Sequence, residues 1–183
     1  MNLSPTEKEN IKNALFEGWQ DAVPDDATKT YFKVIWKNQS FYIPTGGEFD
    51  SKARAYQSSQ QSIDSGDATK INLQTENYDV NSEFANSRFT AKIAGYYQVN
   101  ASILWLASAD TKVCQTQIRV KGDVAAADAK RSPGTGYISS NISDIVYLDV
   151  DDYVEMYGYQ DSGGSVNLNN NSQSTFMSVH RLS

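Results

Sequence analysis

One segment of the sequence has the residue types of a serine nucleophile, Asp161-Ser162-Gly163-Gly164. A serine hydroxyl needs a positioned base, normally a histidine that an acid orients. The chain has a single histidine, His180, which follows the serine in the last strand-like segment. Two glycines after a strand are also what a tight turn requires, so we interpret the segment as a turn. A hydrolase that uses Ser162 is the competing hypothesis.

Three carboxylates, Asp149, Asp151 and Asp152, lie together at a second predicted turn. Calcium takes several oxygen ligands, so the cluster is a candidate calcium site, and calcium is the one cofactor that the sequence suggests. The spacing is not that of an EF-hand loop, and acidic residues also populate solvated turns. Both interpretations stay open, and in the second Asp152 caps its own loop.

The segment NLNNNSQS, residues 167–174, is rich in asparagine and poor in apolar side chains. Side-chain amides pair well with sugar hydroxyls, so Asn169, Asn170 and Asn171 are candidate glycan-binding residues. The same composition is typical of a solvated turn, which is the alternative interpretation.

The composition is that of a folded protein with an acidic surface. The 183 residues are 39% hydrophobic and 21% charged, which is too apolar for a disordered chain. Sixteen basic residues against 22 acidic ones give a formal charge of −6, and no basic stripe is present, which argues against a nucleic-acid partner. The single cysteine, Cys114, shares a strand face with Ile118 and Val120, so we expect a buried, unreactive thiol.

The beginning of the sequence, MNLSPTEKEN, has neither a basic nor an apolar leader region, and apolar runs elsewhere are only a few residues long. We therefore expect synthesis in the cytoplasm without a signal peptide, and no membrane insertion. The final location of the protein is a separate question, which composition does not answer.

Residues 1–50 are predicted to form a small attachment segment of one helix and one hairpin. A serine N-cap, a first-turn proline and a capping-box glutamate mark the start of a helix over residues 5–20. Two strand-like runs, 30–36 and 40–43, flank a Lys-Asn-Gln turn. A Pro-Thr-Gly-Gly linker signal follows, so we place a second, larger domain at 51–183.

This segment carries more apolar rings than a unit of about 50 residues can easily bury. The rings either pack within the chain, under the helix or on the larger domain, or form a docking surface that another chain completes, and disorder of the segment is a third alternative. In the second interpretation the segment anchors the protein to a capsid, tail or other scaffold protein. The anchoring residues are then Ile11, Leu15, Trp19, Phe32, Trp36 and Phe41.

The larger domain has the alternation of β-strands and no helical period. In 97–105, 113–120 and 153–159, apolar side chains alternate with polar ones or with tyrosines, as in half-buried strands. In 138–150, Asp144 interrupts the apolar face, so we expect a bulge or an interface there. Short strands joined by polar turns indicate an all-β sandwich or jelly roll.

The strand predicted at 153–159 has aliphatic side chains on one face and Tyr153, Tyr157 and Tyr159 on the other. One face can enter the core of a sandwich, and the second face then needs another cover. We therefore predict these three tyrosines as a contact surface between subunits. Tyrosines also suit a solvated sheet face, which is the alternative.

Four segments of the larger domain occur in an order that matches a known family: ARAYQSSQQSI (53–63), RFTAKIAGYYQV (88–99), DDYVEMYGYQ (151–160) and STFMSVHRLS (174–183). In the second segment, a phenylalanine is followed after five residues by a glycine and then by a tyrosine. Together the segments resemble the globular head domain of complement component C1q, part of the tumour-necrosis-factor-like (TNF-like) jelly-roll superfamily.

The resemblance implies an all-β fold, a ten-stranded jelly-roll sandwich that forms a homotrimer around a threefold axis and presents its loops as a contact surface. It implies a binding module and not an enzyme. Stalkless versions with short N-terminal segments resemble the tips or decorations of phage virions and of bacterial surface assemblies. The chain departs from the family pattern at two positions. The family usually has an aromatic residue where this chain has Val99, and a glycine before the turn aspartate where this chain has Asp151.

We therefore expect a non-enzymatic, homotrimeric virion structural protein, such as a fibre tip, spike or capsid decoration, which is made in the host cytoplasm. Its exposed domain would bind a host-surface protein or glycan. Two alternatives stay open. One is a bacterial cell-surface or secreted binding module, and the other is a capsid cement protein that only stabilises a shell.

Overall fold

The chain divides into two compact units, Met1–Asp50 and Ser51–Ser183. The structure is a computed structural model that describes residues 31–36, 39–44, 50–107, 113–131 and 136–182.

In the first unit the structure describes one antiparallel hairpin. Strand β1, Tyr31–Trp36, pairs along its length with β2, Gln39–Pro44. The two strands predicted at 30–36 and 40–43 are therefore present. Of the predicted anchoring residues, Phe32 and Trp36 lie in β1 and Phe41 lies in β2. The predicted helix over 5–20, with Ile11, Leu15 and Trp19, lies outside the described residues.

The second unit is a sandwich of two antiparallel sheets, and no helix occurs among its described residues. The alternation of apolar and polar side chains buries one face of each sheet against the other. The six-stranded sheet contains β5 (Thr69–Lys70), β7 (Phe84–Ala85), β8 (Arg88–Thr90), β10 (Val113–Val120), β11 (Asp123–Arg131) and β13 (Tyr153–Gln160). The seven-stranded sheet contains β3 (Lys52–Tyr56), β4 (Ser62–Ile63), β6 (Thr75–Asp79), β9 (Gly95–Ala107), β12 (Gly136–Leu148), β14 (Val166–Leu168) and β15 (Phe176–Arg181).

Two strands organise the sheets. β9 pairs with β12 from Gly95 opposite Leu148 to Ala107 opposite Gly136, and its other edge pairs with β14 and β15. β13 pairs with β10 on one side and with β5 and β8 on the other. Three strands, β4, β5 and β7, have two residues each, which leaves ten described strands of three or more residues from β3 onward. The predicted all-β sandwich is confirmed.

The core lies beneath the central strands. The inward row of β9 is at most 2% exposed and consists of Tyr97, Val99, Ala101, Ile103 and Trp105. At Gly158 of β13, an added Cβ would stand 2.9 Å from Cη2 of Trp105 and 3.0 Å from Cδ1 of Ile71. Packing therefore requires a glycine at 158, because any side chain would collide with the indole.

The bulge considered at Asp144 is not formed, and that interpretation was wrong. The register between β9 and β12 is continuous through Asp144, which lies opposite Val99. Among the described strands β12 pairs only with β9, so it is an edge strand, and Asp144 is half-buried there. The backbone N–H of Ile145 donates to Oδ1 of Asp144 at 2.9 Å. Because β12 is at the edge of the sheet, the Asp144 carboxylate can stay in contact with water without a bulge in the strand.

Candidate functional site

The structure places Ser162 in a turn and away from the histidine. Its Oγ donates to the carbonyl of Gly164 at 3.1 Å, and its backbone N–H donates to Oε1 of Gln160 at 2.6 Å. His180 lies in β15 of the other sheet, where it is exposed and stands opposite Gln98. The groups that a serine nucleophile needs are therefore not brought together.

The acidic turn between β12 and β13 is held by its own members and by one lysine. Oδ2 of Asp152 accepts from the backbone N–H of Asp149 at 3.2 Å, and Lys121 Nζ lies 3.0 Å from Oδ1 of Asp152. The hydrogen bond from Lys121 is the main reason that the pKa of Asp152 is lowered. Asp152 thus caps its own loop, as one interpretation predicted.

No group of three or more His, Cys, Asp or Glu side chains in the described part of the chain could hold a metal ion. Asp151 has a φ of 70°, in the left-handed region that glycine adopts without strain. This conformation accounts for the glycine that the C1q-like pattern has at this position. The calcium role of the turn stays a prediction without a geometric argument behind it.

The asparagine segment uses its side chains to build a turn. Asn171 Nδ2 donates to Oδ1 of Asn169 at 2.6 Å, and Oδ1 of Asn171 accepts from the backbone N–H of Gln173 at 2.9 Å. Asn170 Nδ2 donates to the carbonyl of Ser58 at 3.1 Å. Because these amides are engaged within the protein, a glycan would have to compete for them, and glycan binding by the three residues stays a prediction.

Cys114 is buried, as expected, and burial raises the pKa of its thiol to about 11. At neutral pH the thiolate fraction is therefore negligible, and the residue is a small core side chain.

The tyrosine row of β13 lies on the outward face of the six-stranded sheet, under a layer of charged side chains. The guanidinium of Arg88 stands 3.7 Å from the ring centre of Tyr153, and that of Arg119 stands 4.1 Å from the ring centre of Tyr157. All four side chains are half-buried within one chain. We name this surface the outer array, and its members are Lys70, Arg88, Gln117, Arg119, Tyr153, Glu155 and Tyr157.

Glu155 is the centre of the outer array. Its side chain is only 4% exposed, and Oε1 lies 2.6 Å from Lys70 Nζ and 2.8 Å from Arg88 Nε. Burial acts to raise the pKa of this carboxyl, but the hydrogen bonds and charges of Lys70 and Arg88 outweigh it, so the pKa is lowered. Burial and the Glu155 charge together raise the pKa of Tyr157. The carboxylate is therefore ionised at neutral pH and organises the cations around it.

Part of the outward face of the seven-stranded sheet is different. Phe176 of β15 is half-buried there, with the Arg54 guanidinium 4.2 Å from its ring centre, but two tyrosines on neighbouring strands are exposed. Tyr96 of β9 stands opposite Tyr147 of β12, with ring centres 5.3 Å apart in an edge-on arrangement. Tyr96 is 53% exposed, Tyr147 52% and the next outward residue of β12, Ile145, 57%. Leu182 is also exposed, and its backbone N–H donates to the carbonyl of Tyr96 at 2.7 Å. We name these four residues the apolar patch.

Comparison with known proteins gives a fold but no sequence relative. No protein-family model matches the chain, and no curated protein matches it. Among solved structures, Eiger TNF from S. frugiperda matches with a TM-score of 0.58 at 14% identity, over 73% of this chain and 93% of that one. Murine APRIL at pH 5.0 matches with a TM-score of 0.56 at 14% identity, over 73% and 99%. The globular domain of zebrafish complement 1qA matches with a TM-score of 0.56 at 10% identity, over 73% and 98%.

The larger unit is a C1q/TNF-like jelly roll. Two sheets of antiparallel strands with β9 and β13 at their centres form it, and the predicted resemblance is confirmed for the fold. In the described part of the chain, no helix is long and apolar enough to span a membrane.

Within this C1q/TNF-like domain, the sequence pattern located the β13 tyrosines but missed the apolar patch. Tyr96 and Tyr147 come from distant segments, and only the register of β9 and β12 brings their rings together. The sequence did carry a signal for their orientation. Tyr96 is next to the inward-facing Tyr97, and Tyr147 lies between the inward-facing Val146 and Leu148, so alternation places both tyrosines on the outward face.

Proposed function

We propose that the chain is a non-enzymatic binding module that forms a homotrimer through the apolar patch. The C1q/TNF-like resemblance implies association around a threefold axis. The apolar patch carries the proposal: Tyr96, Tyr147, Ile145 and Leu182 form an apolar surface that one chain leaves in water.

Tyrosine suits such a surface, because its ring buries a large apolar area while its hydroxyl keeps a polar partner. A polar row lies beside the apolar patch on the same face. Asn100 Nδ2 donates to Oγ of Ser178 at 3.3 Å, and Gln98 Nε2 lies 3.5 Å from Oγ of Ser143. In a packed trimer these groups would restrict the register of the subunits, because each needs a hydrogen-bond partner once water is excluded.

The test is the mass of the full chain in solution by light scattering over a range of concentrations. We expect three times the chain mass of 20.3 kDa. A monomer at every concentration would contradict the proposal, and a dimer would retain self-association but reject the threefold arrangement.

We propose further that residues 1–50 attach the trimer to a larger assembly, and that this assembly is a virion whose surface displays the jelly roll for host binding. The support is the resemblance to stalkless family members and the size of the segment, which is small for an independent domain.

The test is incorporation of a chain that lacks residues 1–50 into particles that otherwise need this protein. We expect that the shortened chain remains trimeric but is absent from purified particles. Incorporation at the level of the full chain would contradict the attachment role.

A further inference from the structure

We infer that the outer array binds a glycan that carries carboxylate groups, with Arg88 and Arg119 as the anion-binding side chains. This inference rests on the proposed binding function and adds the surface and the class of ligand.

The charge of the outer array is opposite to that of the protein. Lys70, Arg88 and Arg119 supply three positive charges and Glu155 one negative charge, so the array is positive in a chain of formal charge −6. An acidic protein repels anions in general, and a local positive surface offers them one place to bind.

The two arginines are held in place before any ligand arrives. Arg119 donates from Nε and Nη2 to Oε1 of Gln117 at 2.9 and 2.7 Å, and it stacks on Tyr157. Arg88 donates from Nε to Glu155 and stacks on Tyr153. A guanidinium that is already fixed loses less conformational freedom on binding, so more of the interaction appears as affinity.

Both arginines keep donors for a ligand. Within the described residues, Arg88 uses only its Nε on a protein acceptor, and Arg119 uses Nε and Nη2. A guanidinium has five N–H donors in a planar fork, which matches a carboxylate with two parallel hydrogen bonds.

The outer array already holds one carboxylate, that of Glu155. Its Oε1 accepts hydrogen bonds from both Lys70 Nζ and Arg88 Nε, so the distance between these two cations suits a carboxylate oxygen. A ligand carboxylate would extend the same arrangement outward to Arg119, which makes no ion pair with a described carboxylate.

The neighbouring row has the groups that recognise sugar hydroxyls. Gln115 stands opposite Tyr159, next to the pair of Gln117 and Tyr157, and Gln117 Nε2 donates to Oε1 of Gln115 at 2.6 Å. Amides and phenol hydroxyls both donate and accept, as sugar hydroxyls require. The amide of Gln117 is engaged with Gln115 and Arg119, and the rings of Tyr153 and Tyr157 lie under the arginines, so Gln115 and Tyr159 are the groups that would contact a sugar. An amide and a tyrosine beside two arginines favour an acidic sugar over a simple inorganic anion.

The experiment is isothermal titration of the full chain at low salt with polygalacturonate as the carboxylated glycan, dextran as the neutral glycan and dextran sulfate as the sulfated one. Arg119→Gln is the main variant, because Arg119 makes no ion pair with a carboxylate in the described part of the chain. Arg119→Lys keeps the charge but removes the planar fork. Lys52→Gln is the matched control, since it removes one positive charge from β3 in the other sheet.

We expect binding of polygalacturonate that weakens with salt, with no binding of dextran. Arg119→Gln should weaken it by roughly tenfold or more, which corresponds to about 1.4 kcal/mol, and Arg119→Lys by an intermediate factor, because a charge-assisted hydrogen bond is lost or weakened. Lys52→Gln should bind as the unaltered chain does, and the two Arg119 variants should unfold at similar temperatures.

Other results would overturn the inference. Equal affinity of Arg119→Gln and the unaltered chain would remove the outer array from the site. A preference for dextran sulfate would reject the carboxylate. Binding of dextran alone, or of host cells without polygalacturonate, would reject the inference but retain the proposed binding function. Absence of binding to every glycan and to host cells would reject both.

Discussion

The two outward faces of the jelly roll both carry tyrosines but treat them in opposite ways. On the six-stranded sheet, Tyr153 and Tyr157 lie under arginines that the same chain supplies. On the seven-stranded sheet, Tyr96 and Tyr147 contact each other and remain more than half exposed. The chain itself covers Tyr153 and Tyr157, and the subunit contact predicted at Tyr153, Tyr157 and Tyr159 stays a prediction. Tyr96 and Tyr147 have no such cover within the chain, which is why we propose the trimer contact on the seven-stranded face.

The core supports both faces, so a core substitution should affect them together. Gly158→Ala places a methyl group against the indole of Trp105 and should lower the free energy of unfolding by about 1–3 kcal/mol. Urea denaturation measures the change. Gly164→Ala is the control, because no heavy atom lies within 4 Å of its added Cβ. Equal stability of the two variants would show that the sheets are not as closely packed as described.

Glu155→Gln tests whether the six-stranded face is organised from within. The substitution leaves Lys70 and Arg88 without their carboxylate, and since both reach water we expect a loss of only about 1–2 kcal/mol. Glu76→Gln on exposed β6 serves as the control, and thermal unfolding measures both. The mass of the assembly should not change. If Glu155→Gln were a monomer, the subunit interface would involve the six-stranded face, which would contradict the proposal.

The pH dependence of stability should follow the same carboxylate. The pKa of Glu155 lies below its ordinary value of 4.5 in the folded state, so the ionised group stabilises the fold above that pH. This contribution is lost as the pH falls through the lowered folded-state pKa. Urea denaturation between pH 6 and 3 should therefore show a smaller acid destabilisation in Glu155→Gln than in the unaltered chain. Parallel curves for the two proteins would contradict the ion-pair account.

The smallest effect is expected at the turn that joins the two sheets. Asp151→Gly relieves a φ of 70° and should raise the free energy of unfolding by roughly 0.5 kcal/mol. Asp149→Gly, at a residue without a positive φ, should give no gain. Thermal unfolding compares them, and a loss of stability in Asp151→Gly would mean that the aspartate side chain contributes more than its backbone costs.

The strands and their faces could be predicted from the sequence, because alternation is a local property. Val154 and Met156 are buried and the β13 tyrosines face outward, as the pattern indicated. The covering of those tyrosines could not be predicted, since Arg88 and Arg119 come from β8 and β10 and reach β13 only through the register of the sheet. The apolar patch was not predicted for the same reason, because only the register of β9 and β12 brings Tyr96 and Tyr147 together. Turn chemistry was intermediate, because for both turns the sequence left two interpretations open. The structure supports the cap at Asp152 and the use of Asn169 and Asn171 within their own turn.

The assignment of the two faces is tested most directly by one substitution made on each of them. Tyr147→Glu puts a charge into the apolar patch, and Tyr159→Glu puts the same charge on the outward face of the six-stranded sheet. Light scattering of the full chain should give a monomer for Tyr147→Glu and a trimer for Tyr159→Glu, with far-ultraviolet circular dichroism unchanged in both. A trimeric Tyr147→Glu beside a monomeric Tyr159→Glu would contradict the account, because the subunit interface would then lie on the β13 tyrosines.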